Sequence, residues 1–202
     1  MRRIAISDIH GHPRTFEKLL ITLDFTKNDA LYLLGDYISW GPNPVGVTDQ
    51  ILELKGQGYQ ISCLLGNHEN ALYRDVTSKK RKLNQRYIDF FASLQFYVEL
   101  DDYLLVHAGF NFAIPYPPDD KKAMIELYGW YHKRINHEWL GARKIIFGHS
   151  VMHRQKIFDS INNNHQAIGI DNGVFVKDDP EKGNLCAYDF TNNKLYFQAN
   201  IG

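Results

Sequence analysis

Arg3-Ile4-Ala5-Ile6-Ser7-Asp8-Ile9-His10-Gly11 opens the chain with an apolar run that ends abruptly in polar chemistry. Arg3 to Ser7 has the length and alternation of a short strand, so Asp8 and His10 fall where the backbone leaves a sheet, and Gly11 permits a sharp turn. The same order returns four times. Leu31 to Leu34 runs into Gly35-Asp36-Tyr37, Gln60 to Leu65 into Gly66-Asn67-His68-Glu69, Tyr103 to Val106 into His107-Ala108-Gly109, and Lys144 to Phe147 into Gly148-His149-Ser150.

Helical patterns fill the first intervals. Pro13 sits where a first helical turn tolerates it, and Phe16, Leu19, Leu20 and Leu23 follow at helical spacing. Val45 to Leu54 is helical until Gly56 and Gly58, and a third helix starts near Asn70. Strands alternating with helices imply right-handed crossovers and parallel pairing. The second half adds antiparallel character. Phe96 to Leu100 and Tyr103 to Val106 flank a turn at Asp101-Asp102, and Leu185 to Phe190 pairs with Leu195 to Gln198 around Thr191-Asn192-Asn193. Gln166 to Ile170 is a further strand, and Lys121 to Trp139 reads as mostly helical, interrupted at Gly129. The expected architecture is α/β, one domain over residues 1–202, with two mixed sheets between outer helices in an α/β/β/α sandwich.

Bulk properties exclude more than they assign. The 202 residues are 44% hydrophobic and formally neutral, with no basic stripe of the kind that nucleic-acid backbones select. Lys79-Lys80-Arg81-Lys82 is expected to be the solvated start of a helix. Met1-Arg2-Arg3 leads directly into a strand whose apolar run is too short for a signal core or a membrane span, so a cytoplasmic protein with no membrane partner is expected. Cys63 and Cys186 fit as small core residues in a reducing compartment.

Taken singly, Asp8 is an adequate helix cap and His107 an adequate core histidine. Taken together, Asp8, Asp36, Asn67, His107 and His149 all end strand runs, the place where open α/β sheets bind ligands. Independent caps have no reason to recur there. Carboxylate oxygen and imidazole nitrogen without a nearby thiolate suit manganese, with iron or zinc as alternatives.

These blocks resemble, in order and spacing over nearly the whole chain, those of the calcineurin-like metallophosphoesterases, and most closely the serine/threonine protein phosphatase branch, near the symmetrical diadenosine tetraphosphate hydrolases. The resemblance implies two divalent ions, one on Asp8, His10 and Asp36, the other on Asp36, Asn67, His107 and His149, with Asp36 bridging. Such a pair lowers the pKa of a bridging water, whose hydroxide attacks phosphorus in line while the ions spread the developing charge. His68 beside Asn67 is then the candidate to protonate the leaving oxygen, its plainer role being a hydrogen-bond partner of the ligands.

One block departs from the resemblance. The protein phosphatases read Gly-Asp-x-Val-Asp-Arg-Gly, whereas this chain has Gly35-Asp36-Tyr37-Ile38-Ser39-Trp40-Gly41. Ser39 stands for the aspartate that orients the catalytic histidine, Trp40 for an arginine that forks onto phosphate, and Tyr128 falls where related bacterial sequences carry another arginine. Arg74, His153 and Arg154 follow ligand blocks without earning assignment as replacements. The expected function is therefore a phosphomonoesterase of the protein phosphatase type, acting on a phosphorylated protein or small phosphoester. An indole at the rim offers a face for a nucleobase, and Gly41-Pro42 resembles the tetraphosphatase pattern, so a nucleotide phosphohydrolase is the alternative. A non-catalytic phosphate-binding or phosphoprotein-binding member is the alternative from another class.

Overall fold

In a computed structural model, which describes residues 1–130 and 135–202, β1 (Arg3–Ile6), β2 (Ala30–Leu33) and β3 (Gln60–Cys63) pair in parallel. The helices α1 (Pro13–Thr22) and α2 (Gly46–Gly56) connect them. After β3 the chain forms α3 (Asn67–Thr77) and α4 (Gln85–Ala92), then a second sheet of β4 (Tyr97–Glu99), β5 (Tyr103–Val106), β6 (Lys144–Phe147) and β7 (Ala167–Gly169). Short α5 (Lys121–Glu126) and α6 (His137–Leu140) lie between β5 and β6, and α7 (Arg154–Asn162) between β6 and β7. The closing hairpin, β8 (Asn184–Asp189) with β9 (Lys194–Ala199), returns to the first sheet.

Sheet order is β3-β2-β1-β8-β9 in one sheet and β4-β5-β6-β7 in the other, each mixing parallel and antiparallel pairs as expected. Alternation along the strands decides which layer each residue fills. Ile4, Ile6, Leu31 and Leu33 pack with Phe16 and Leu19 of α1 and Val47 and Ile51 of α2, whereas Ala5, Tyr32, Cys186 and Tyr188 face the second sheet at Leu104, Val106 and Ile146. Both cysteines are free and buried, and among the described residues no helix is long and apolar enough to cross a membrane.

One local expectation is corrected and another is refined. Lys79 to Lys82 does not begin a helix but forms the exposed turn after α3, because Asn84 accepts from the Arg86 amide at 3.1 Å and delays the start of α4 to Gln85. The stretch Lys121 to Trp139 is helical at its two ends, in α5 and α6, with an interruption wider than Gly129 alone: α5 stops at Glu126, Leu127 is extended and Gly129 takes φ +65°. Trp130 is anchored instead by its indole N–H, which donates to the Ala108 carbonyl at 2.8 Å. Residues 131–134 of that stretch lie outside the described residues.

Candidate metal centre

The parallel strands of each sheet deliver their carboxyl ends to one cavity of about 480 Å³, lined among others by Asp8, His10, Asp36, Asn67, His68 and His149. β1 leads to Asp8 and His10, β2 to Asp36, the start of α3 to Asn67 and His68, and β6 to His149. His107, completely buried just past the end of β5, lies against Asn67, His149 and Asp36. His10, Asp36 and His149 take left-handed φ values of 45°, 53° and 62°, as do Ser39 and Trp40 at 73° and 57°. Non-glycine residues rarely adopt this region, and its concentration here marks sharp turns in the loops that follow β1, β2 and β6.

Backbone bonds lock these turns together. The Asp36 carbonyl accepts from the Ile9 and His10 amides at 3.0 and 2.8 Å, joining the first block to the second. Glu69, completely buried in the first turn of α3, accepts from the amides of Asp36, Tyr37 and Ile38 at 2.8, 2.9 and 3.2 Å. The Asp8 carboxylate does not cap α1, since it accepts from the His149 amide at 3.0 Å and from the Ser7 hydroxyl. Gly148 is required by that contact, because a methyl group there would overlap the Asp8 carboxylate.

Proton placement tests whether this donor set suits cations. His107 Nδ1 lies 2.8 Å from the Leu34 carbonyl, which assigns the proton to Nδ1 and leaves Nε2 as a bare lone pair. That lone pair faces Asn67 Oδ1 at 3.1 Å, His149 Nδ1 at 3.2 Å and Asp36 Oδ2 at 3.6 Å. Likewise His10 Nδ1 bonds the Ile38 carbonyl at 3.2 Å and presents Nε2 to Asp36 Oδ2 at 3.8 Å. His149 Nε2 is buried without a hydrogen-bond partner. A cation between them would satisfy these converging nitrogen and oxygen atoms together.

The electrostatics lead to the same requirement. Burial pushes His10 and His149 down to about 4, so both imidazoles are neutral at pH 7. Burial, with Glu69 and Asp8 nearby, drives the Asp36 carboxyl well above its usual range, burial drives Asp171 up too, and Glu69 rises to about 7. No lysine or arginine lines the cavity among the described residues to balance them. Two sets of donor atoms lie within 4.8 Å of one another, His10 with Asp36 and His68, and Asp36 with His107 and His149. Asp36 belongs to both sets. The residues present thus fit two oxygen- and nitrogen-bound divalent ions, with Asp8 and Asn67 completing the lining.

Trp40 and Tyr128 both reach this cavity. The Trp40 ring stacks on His10 at 4.5 Å and 27°, meets His68 edge-on at 4.7 Å, and remains 62% exposed. Tyr128 leans on His149 at 4.1 Å. Ser39 occurs beside His68 in a neighbouring cavity, while Arg74, His153 and Arg154 line neither. Asp171, two residues beyond β7, was missed by the sequence reading although it also follows a strand, because it lacks an adjacent histidine or glycine-aspartate block. Phe175, edge-on to Trp40 at 4.3 Å, carried no signal in sequence.

Comparison with known proteins agrees with this geometry. The chain is 29% identical over 123 residues to the symmetrical bis(5'-nucleosyl)-tetraphosphatase of Nitrosomonas europaea, a match covering 54% of this chain and 45% of that protein. It therefore spans about half the length of this curated relative. Among solved structures, a protein provisionally described as a diadenosine tetraphosphatase superposes with a TM-score of 0.73 at 20% identity, over 100% of this chain and 95% of that one. A protein serine/threonine phosphatase from Saccharomyces cerevisiae superposes with a TM-score of 0.67 at 15% identity, over 100% of this chain and 81% of that one. At such identities these two likenesses concern the fold. The profile of the Calcineurin-like phosphoesterase family matches residues 1–174, which include every candidate ligand, and the chain belongs to that family.

Proposed function

We propose that the protein is a two-metal phosphoester hydrolase whose substrates are nucleotides, with dinucleoside polyphosphates as the leading class. The observation that carries this reading is the replacement of phosphate-gripping arginines by exposed aromatic rings, Trp40 over His10 and Tyr128 against His149, at the mouth of a cavity without lysine or arginine among its described lining. An indole cannot fork onto a phosphate, but it presents a π face to a base. The tetraphosphatase relative supports the same substrate class. A phosphoprotein phosphatase, the first expectation from sequence, is the weaker reading, since the two side chains that branch uses are Ser39 and Trp40 here.

The residues divide the work. Asp8, His10, Asp36, Asn67, His107 and His149 would hold the ions, with manganese the first candidate. When bound, such ions activate water and neutralise charge on phosphoryl oxygens. His68, half-buried at the cavity edge with Nε2 3.9 Å from Asp36 Oδ2, carries the proton for the leaving oxygen. Without the usual aspartate, its ring is held by edge contacts with His10 at 5.1 Å and Trp40 at 4.7 Å. Trp40 therefore serves both as a base platform and as a support for the acid.

The direct test incubates manganese-loaded protein with diadenosine tetraphosphate, p-nitrophenyl phosphate and phosphopeptides, alongside Asp36→Asn. The proposal expects nucleotide products with the highest kcat/KM on the tetraphosphate. Faster turnover of phosphopeptides would reverse the order of the two readings, and turnover equal to the Asp36→Asn control on every substrate would favour the non-catalytic alternative.

A further inference from the structure

A second cavity, of about 430 Å³, lies on the other side of His68, so that this histidine lines both. Its wall is apolar at Val45, Leu72 and Leu83, and its rim carries Arg81 and Lys82, with Asp75 as the single acid among the described lining residues. The side chains therefore sum to one positive charge, in contrast to the carboxylate-rich metal cavity next to it. The rim is shaped by the turn after α3, where the Asp75 carbonyl accepts from the Lys80 and Arg81 amides at 2.9 and 3.3 Å.

In-line displacement fixes the direction in which the substrate departs. With the scissile phosphorus over the metal ligands and His68 serving the leaving oxygen, as in the reading above, whatever that oxygen belongs to would extend past His68. The second cavity shares His68 with the first. Water supplies the oxygen of the new P–O bond as the bridging P–O bond breaks, His68 gives its proton to the departing oxygen, and a proton from the water restores the balance.

We propose that this second cavity receives the leaving half of the substrate, with Arg81 and Lys82 binding its phosphates and the Val45, Leu72 and Leu83 wall contacting its nucleoside. The leaving group is thus a nucleoside phosphate, and cations of a kind not found among the described lining residues of the metal cavity are supplied one step further along the substrate. This rests on the nucleotide reading above but locates recognition in residues outside the metal site.

The test compares wild type with Arg81→Gln, Lys82→Gln and the double variant, all in an exposed turn. ADP affinity is measured by calorimetry with and without manganese, and kcat/KM is measured on diadenosine tetraphosphate and p-nitrophenyl phosphate. Each substitution is expected to weaken ADP about tenfold, and the double variant to lower the tetraphosphate-to-nitrophenyl ratio of kcat/KM about a hundredfold, chiefly through KM. ADP bound equally by wild type and double variant, or by neither, overturns the subsite. Tetraphosphate turnover indifferent to both cations removes the subsite and leaves the nucleotide reading intact. ADP binding that depends on Arg81 and Lys82 in a protein that ignores the tetraphosphate keeps the subsite and removes that reading.

Discussion

Glu69 Oε2 lies 2.8 Å from the backbone nitrogen of Asp36, so a buried carboxylate from α3 holds the turn that presents the ligand shared by both donor sets. The same side chain also takes the next two amides, which suppresses unsatisfied donors in a left-handed turn. Glu69→Gln replaces one acceptor oxygen by an NH2 group facing those amides. The expected loss is about 2–3 kcal/mol in urea denaturation, with manganese affinity weakened at least about tenfold. A variant with wild-type affinity would show that the turn holds Asp36 without this clamp.

Buried oxygen and nitrogen atoms of Asp36, His107 and His149 converge where a cation would bind. Chelation is expected to lower Tm, and titration with manganese to raise it progressively, since an ion bound by the native state alone stabilises it by mass action. Calorimetry with the metal present at about a hundred times its Kd should recover about 2.7 kcal/mol. Insensitivity of Tm to chelator and metal would count against the site.

Trp40 bears on base recognition and, through its ring beside His68, on the acid, but it offers no charged fork to phosphate. Trp40→Ala should raise KM for dinucleoside polyphosphates about 10- to 100-fold, by loss of stacking worth about 1–3 kcal/mol per base, and should lower kcat on both substrates because the ring beside His68 is gone. Trp40→Arg should instead raise kcat/KM on p-nitrophenyl phosphate about tenfold, as a charged fork reaches the phosphoryl group. Steady-state kinetics on the two substrates separate these effects, and KM changes of equal size on both would contradict the base platform.

Far from the site, Asp29 accepts from Arg2 Nε and Nη2 at 3.0 and 2.7 Å and from the Thr26 amide at 2.9 Å. The Arg2 bonds hold its carboxyl below the usual range. A depressed folded-state pKa contributes stability that is fully present above the unfolded value, about 3.9, and is lost as pH falls through the folded value. Asp29→Asn should therefore cost about 2 kcal/mol at pH 7 and progressively less below pH 4, as read from urea midpoints along a pH series. An equal cost at every pH would mean that packing, and not the ion pair, is responsible.

The sequence by itself determined what is local. Apolar runs of a few residues, followed by Asp8, Asp36, Asn67, His107 and His149, were sufficient to place strands, their ends and the donor chemistry, because alternation and turn residues act over neighbouring positions. Where local signals compete, the outcome was not legible: the Asn84 cap overrides the charged run before α4, and the chain leaves the helix at Glu126, which brings Tyr128 against His149. Only the tertiary structure decided that β8 lies beside β1, pairing Ile4 with Asp189 from the far end of the chain. Only it brought Asp171 and Phe175 to the cavity, turned Glu69 onto the Asp36 amides, and set two cavities on either side of His68. These relations depend on how two sheets close over a common core, and non-local burial of that kind leaves no periodic trace in any one segment.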